Sequence, residues 1–129
     1  MIGNRCLLDT SIIIHAFKKN NNVVDRLESI AEIYVPTIVE GELFYGAYRS
    51  ADPAKHISLI RSFMLNCRSV VPDRTTAEIY GAVKATLVKK GRPIPENDIW
   101  IAAISQQYNM PLYTTDKHFQ EIDGISILK

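Results

Sequence analysis

Four carboxylates in this chain stand where an acid does chemistry as readily as it supports structure. They are Asp9 in Leu7-Leu8-Asp9-Thr10-Ser11, Glu42 in Glu40-Gly41-Glu42-Leu43, Asp98 in Asn97-Asp98-Ile99-Trp100 and Asp116 in Thr114-Thr115-Asp116-Lys117. Taken singly, each has a plain structural explanation. Asp9 before Thr10-Ser11 is a good N-cap, and Asp116 can cap the short helix after it. Asp98 lies in a first helical turn, where the helix dipole favours negative charge. Glu42 needs only a partner from elsewhere in the fold. Taken together, they suggest a hard-cation site. Carboxylates brought together repel and raise one another's pKa values unless something positive stands between them. An oxygen-only donor set selects Mg²⁺ or Mn²⁺, ions that keep several waters and typically work on phosphates. Such a site can activate a water and stabilise the leaving oxygen in phosphodiester cleavage.

The elements that would gather these acids can be read from the apolar runs. Cys6-Leu7-Leu8 does not alternate, as expected of a strand buried on both faces in a parallel sheet. Strands are expected at Arg5 to Leu8, Ile33 to Val35, Ser69 to Val71, Pro111 to Tyr113 and Ile125 to Leu128. Helical patterns fill the intervals, the longest preceding the turn Lys90-Gly91-Arg92-Pro93 and the next covering about Glu96 to Gln107. Strands alternating with helices imply an α/β fold with helices on both faces of a parallel sheet. Asp9 and Asp116 then end parallel strands. Asp98 starts a helix that runs antiparallel to the fourth strand, and Glu42 lies early in the helix after the second. All four therefore face one end of the sheet, the edge where open α/β folds bind ligands. Thr10, Ser11, Thr114 and Thr115 stand beside them.

The two glutamates differ. Thr37 and Glu40 have the spacing of a capping box, which gives Glu40 a structural role. Glu42 lies about 200° round the helix from Glu40. It shares a face with Ile38, Tyr45 and Gly46, and so is expected to lean over buried territory.

At 129 residues with a formal charge of +1, the chain is read as a single domain spanning residues 1–129, and its charge does not suit a general nucleic-acid coat. Basic residues are nevertheless concentrated between Lys55 and Arg92, where the acids are Asp73 and Glu78. Lys89, Lys90 and Arg92, with Lys117, are the candidates for attracting phosphate; a solvated helix face is the alternative. Cys6 and Cys67 do not form a disulfide pattern and fit a reducing compartment. With no leader or membrane-spanning run apparent, a cytoplasmic location is expected.

Leu7-Leu8-Asp9-Thr10-Ser11, Glu42-Leu43-Phe44-Tyr45-Gly46, Asn97-Asp98-Ile99-Trp100-Ile101-Ala102-Ala103 and Thr114-Thr115-Asp116-Lys117-His118-Phe119 resemble, in order and spacing, the motifs of PIN-domain ribonucleases. The likeness is greatest to the VapC toxins of toxin–antitoxin pairs and covers essentially the whole chain. It implies a PIN-like three-layer fold with a five-stranded parallel sheet of order 3-2-1-4-5. It implies Asp9, Glu42, Asp98 and Asp116 as the catalytic, metal-holding quartet for Mg²⁺ or Mn²⁺, with Thr114 accessory. It also implies an antitoxin partner whose C-terminal segment often places an Arg in the acidic site, and a homodimer. Rival readings are a PIN nuclease of housekeeping RNA processing and a receiver-like Mg²⁺-binding module. A receiver needs its acceptor Asp at the end of the third strand. Here Val71-Pro72-Asp73 stands instead, and Asp73 reads as a helix cap.

Overall fold

Cys6, Leu7 and Leu8 are each completely buried in β1 (Arg5–Leu8), the central strand. Successive side chains on a strand point to opposite faces, so burial of all three requires both faces to be covered. The computed structural model describes residues 4–128, so residues 1–3 and 129 of the expected single domain lie outside it. After β1 come α1 (Thr10–Phe17), α2 (Asn21–Glu28), β2 (Glu32–Pro36), α3 (Thr37–Tyr48), α4 (Pro53–Met64) and β3 (Arg68–Val70). There follow α5 (Arg74–Lys89), α6 (Glu96–Tyr108), β4 (Leu112–Tyr113) and a 3₁₀ helix, Lys117–Glu121. No helix among the described residues is long and apolar enough to cross a membrane.

The sheet is parallel with order β3-β2-β1-β4. The expected fifth strand is reduced to a single parallel bridge between Leu112 and Ile127. The Leu112 N–H donates to the Ser126 carbonyl and its carbonyl accepts from the Leu128 N–H, each at 2.8 Å. β4 holds only two residues and ends before Thr114, whose hydroxyl donates to Asp9. The next chain therefore sits in the fifth position without an edge long enough to make it a strand.

Two local devices set the direction of the elements around the site. Asn109 ends α6 with φ of 49°, the left-handed conformation that Asn tolerates better than most residues. That turn brings the chain into β4 within three residues, antiparallel to α6, so Asp98 and Asp116 share one edge. α5 and α6 are bound side by side by a stacked Tyr80–Trp100 pair, with ring centroids 4.1 Å apart, and by the Lys84–Glu96 ion pair.

The expected capping box at Thr37 and Glu40 is not formed. Pro36, at φ −63° and ψ 141°, is the residue before α3, and Thr37 is already helical, so its hydroxyl is not placed to cap. Glu40 instead accepts a 2.6 Å hydrogen bond from the Ser69 hydroxyl, tying α3 to β3. A capping box does occur at the start of α5, where Asp73 accepts from the Thr76 N–H and Thr76 Oγ1 accepts from the Asp73 N–H.

Candidate active site

Asp9 follows β1 and caps α1, as its structural reading expects. Its side chain is buried at 5% exposure, and every hydrogen bond it makes is to a group expected beside the site. Oδ1 accepts the Thr10 N–H at 2.8 Å; Oδ2 accepts the Ser11 hydroxyl at 3.2 Å and the Thr114 hydroxyl at 2.7 Å. Burial raises the Asp9 pKa above the usual carboxylate value, and the Glu42 charge adds to the rise. The three hydrogen bonds act against them.

The same hydroxyls extend outward. Thr10 Oγ1 donates to Glu42 Oε1 at 2.7 Å, so one threonine addresses Asp9 through its backbone and Glu42 through its side chain. Thr114 donates to Asp9 while its oxygen accepts the Asp116 N–H at 2.9 Å. Ser11 Oγ accepts the Thr115 N–H at 3.2 Å. These bonds join β1, α1, α3 and the end of β4, segments separated by up to 105 residues in the chain. Glu42 is half-buried rather than enclosed, since its helical neighbour Tyr45 stands 67% exposed.

Asp98, 8% exposed in the first turn of α6, completes the group. Its pKa is raised to about 6, chiefly by burial and then by the charges of Asp9 and Asp116. The charges acting on the two buried acids trace the group: Glu42 raises Asp9, and Asp9 and Asp116 raise Asp98. The imidazole that stands against Asp98 and Asp116 is that of His118. Its Nδ1 lies 3.2 Å from Asp98 Oδ2 and 3.0 Å from Asp116 Oδ1, and its backbone N–H donates to the same Asp116 oxygen at 2.9 Å. Buried or half-buried carboxylates that oppose one another and are oriented by neutral hydroxyls fit a hard divalent cation, the class that takes oxygen donors.

The expected quartet and its accessory hydroxyls Thr10, Ser11 and Thr114 thus come together. The basic residues do not join them as a group. Lys90 pairs with Asp123 at 2.8 Å and Arg92 with Glu121 at 3.5 Å, while Lys89 is exposed at the end of α5. Lys117 is exposed next to Asp116. Reasoning from sequence missed His118 as a site residue. Its position two residues after Asp116 was visible, but only the 3₁₀ turn beginning at Lys117 folds it back over that acid.

Residues 6–125 match the PIN domain family, and the chain belongs to that family. Within it the chain is VapC-like. It is 30% identical over 119 residues to Ribonuclease VapC2 of Haemophilus influenzae, the match covering 90% of each chain. Its fold superposes with a TM-score of 0.91 on VapBC2 from Rickettsia felis, a structure bound to a DNA fragment from the promoter of that pair; identity is 26% and coverage 96% of this chain and 97% of that one. For VapBC-1 from nontypeable Haemophilus influenzae the TM-score is 0.89, with 29% identity and 97% coverage of both chains.

Proposed function

We propose that this chain is a metal-dependent endoribonuclease, the toxin of a toxin–antitoxin pair, which hydrolyses RNA phosphodiester bonds at the centre formed by Asp9, Glu42, Asp98 and Asp116. The observation that carries the reading is the hydroxyl network joining Asp9 to Glu42 through Thr10 and to Asp116 through Thr114. A fold stabilised for its own sake gains little from neighbouring charges that raise the pKa values of Asp9 and Asp98. A fold that must present oxygen donors to Mg²⁺ or Mn²⁺ gains a preformed set.

The four carboxylates would hold the cation. When bound, it supplies a Lewis acid for the scissile phosphate and lowers the pKa of an adjacent water. Thr10, Ser11 and Thr114 fix the Asp9 carboxylate by three bonds, so its oxygens need no rearrangement to serve as donors. Exposed Lys117 beside Asp116 would meet the RNA backbone, and Lys89, with Lys90 and Arg92 in part, would extend the attraction at longer range.

A cleft of about 580 Å³ opens beside Thr10 and Glu42, walled by Ile14, Phe17 and Leu59, with Lys18, Lys19 and Lys55 also lining it. Apolar walls with basic residues suit an amphipathic, acidic antitoxin segment, and continuity with Glu42 suits a basic residue at that segment's end. Tyr45 and Tyr48, each 67% exposed on α3, are available to a homodimer contact. The work of such a toxin places it in the cytoplasm with its RNA.

The test is cleavage of single-stranded or looped RNA by the purified, antitoxin-free protein. Mg²⁺ or Mn²⁺ should support cleavage, EDTA should stop it, and the near-isosteric Asp9→Asn should abolish it while circular dichroism stays that of the folded protein. Wild-type rates for Asp9→Asn, from a preparation shown free of other nucleases, would sink the assignment.

A further inference from the structure

We infer that His118 is a direct ligand of the cation and turns an all-oxygen site into a mixed oxygen–nitrogen one that favours Mn²⁺ over Mg²⁺. The inference rests on the reading of the acidic residues as a metal centre and adds a donor that the acids alone do not supply.

Three donor atoms, one each from Asp98, Asp116 and His118, lie within 4.8 Å of one another. Two of the separations involve the imidazole: 3.2 Å from Nδ1 to Asp98 and 3.0 Å from Nδ1 to Asp116. Ligands at right angles around a cation, each about 2.1 Å from it, stand about 3.0 Å apart, and opposed ligands about 4.2 Å apart. The two nitrogen–oxygen separations are therefore those of neighbouring donors that could share one cation.

His118 is held in this position by its backbone. Its N–H donates to Asp116 Oδ1 at 2.9 Å, and the next side chain, Phe119, is 1% exposed and anchors the 3₁₀ helix in the core. The imidazole itself is 51% exposed at the rim, free to turn its nitrogen inward without disturbing packing. Capping of the 3₁₀ helix does not itself ask for a histidine here, because Asp116 accepts from the His118 backbone N–H and not from its ring.

The chemical consequence concerns selectivity. Mg²⁺ demands oxygen ligands and retains its waters, whereas imidazole nitrogen suits the first-row transition ions. A nitrogen in the shell therefore raises affinity for Mn²⁺ and does little for Mg²⁺.

The experiment loads the metal-free, antitoxin-free protein with Mn²⁺ at a fixed neutral pH and records pulsed electron paramagnetic resonance. Nitrogen coupling of the strength expected for a directly bound imidazole should appear. It should persist when the other histidines are removed (His15→Gln with His56→Gln) and vanish in His118→Gln. By titration, His118→Gln should weaken Mn²⁺ binding about ten-fold, the scale of losing a group that supports a metal site. Mg²⁺ binding should stay within about three-fold of wild type, since magnesium gains little from nitrogen. Absence of nitrogen coupling in the protein that keeps His118, or equal losses for both ions, would overturn the assignment. The first of these readouts does not require His118→Gln to fold. Asp98→Asn serves as the control. If it leaves Mn²⁺ binding unchanged, the carboxylate centre itself is wrong and His118 falls with it. If it removes binding while His118 shows no coupling and no selectivity, the centre stands and only the histidine is a bystander.

Discussion

Removing a buried acid usually harms a protein, but Asp98→Asn should make the metal-free form of this one more stable. The Asp98 side chain is 11% exposed, and burial together with the Asp9 and Asp116 charges lifts its pKa from 3.8 to about 6. The native state thus holds this proton more tightly than the unfolded chain does. Its effect on stability is absent below pH 3.8, develops between 3.8 and about 6, and is complete above that. A rise of about two units corresponds to roughly 3 kcal/mol of destabilisation at neutral pH, at 1.36 kcal/mol per unit. Asn has nearly the shape of the protonated carboxyl and carries no charge, so it should recover most of this. For a domain of this size that is roughly 5–10 °C in Tm.

The assay is thermal unfolding of wild type and Asp98→Asn in EDTA across the acid-to-neutral range. The two should nearly coincide around pH 4, separate between there and pH 6, and keep a constant gap above, with the variant the more stable. Saturating Mn²⁺ or Mg²⁺ should then close the gap from the other side. Ligand at about 100 times Kd stabilises by about 2.7 kcal/mol, and the variant, lacking a donor, should gain less. A variant no more stable than wild type at neutral pH, or a gap of the same size at pH 4, would refute the electrostatic account of the site.

The glutamates and the basic residues offer two further tests. Glu40→Ala should cost about 0.5–1.5 kcal/mol through loss of the Ser69 bond and leave cleavage intact, whereas Glu42→Gln should depress cleavage without loss of Tm in EDTA; chemical denaturation with one activity assay decides, and the reverse pattern would mean the wrong glutamate has been placed at the metal. Changing Lys89, Lys90, Arg92 and Lys117 together to Ala should weaken RNA binding and flatten its salt dependence, most of the change coming from Lys117 and Lys89 because the other two already pair with Asp123 and Glu121; an unaltered slope by fluorescence anisotropy would confine these residues to a solvated face.

Where a residue's role followed from periodicity and from the polarity of its strand or helix, it could be read in the sequence. The unbroken run Cys6-Leu7-Leu8 announced a strand covered on both faces, and each of these residues is fully buried. Asp98 at the head of the apolar face of α6 announced a buried acid, and Asp73 a helix cap. The errors arose where one residue decides between two local geometries. Thr37 and Glu40 have capping-box spacing, but the box requires Thr37 to stand outside the helix in extended backbone. Pro36, with its fixed φ, takes that place. The segment 125–128 has the apolar content of a strand, yet pairing depends on the length of its neighbour, and β4 provides little more than Leu112.

His118 exposes a different limit. Carboxylates announce a site because several of them in one place are costly, and their burial and spacing can be checked against the expense. An exposed histidine costs nothing and breaks no pattern. What gives it meaning is the angle at which a five-residue 3₁₀ helix leaves Asp116, and that angle is set by Phe119 entering the core. The acids could be found from the chain because β1, α3, α6 and β4 must bring them to one edge of the sheet whatever the details of the loops. The nitrogen donor depends on those details. For this cluster, the order of strands and helices locates the acids, and the turn after Asp116 locates the His118 ring against them.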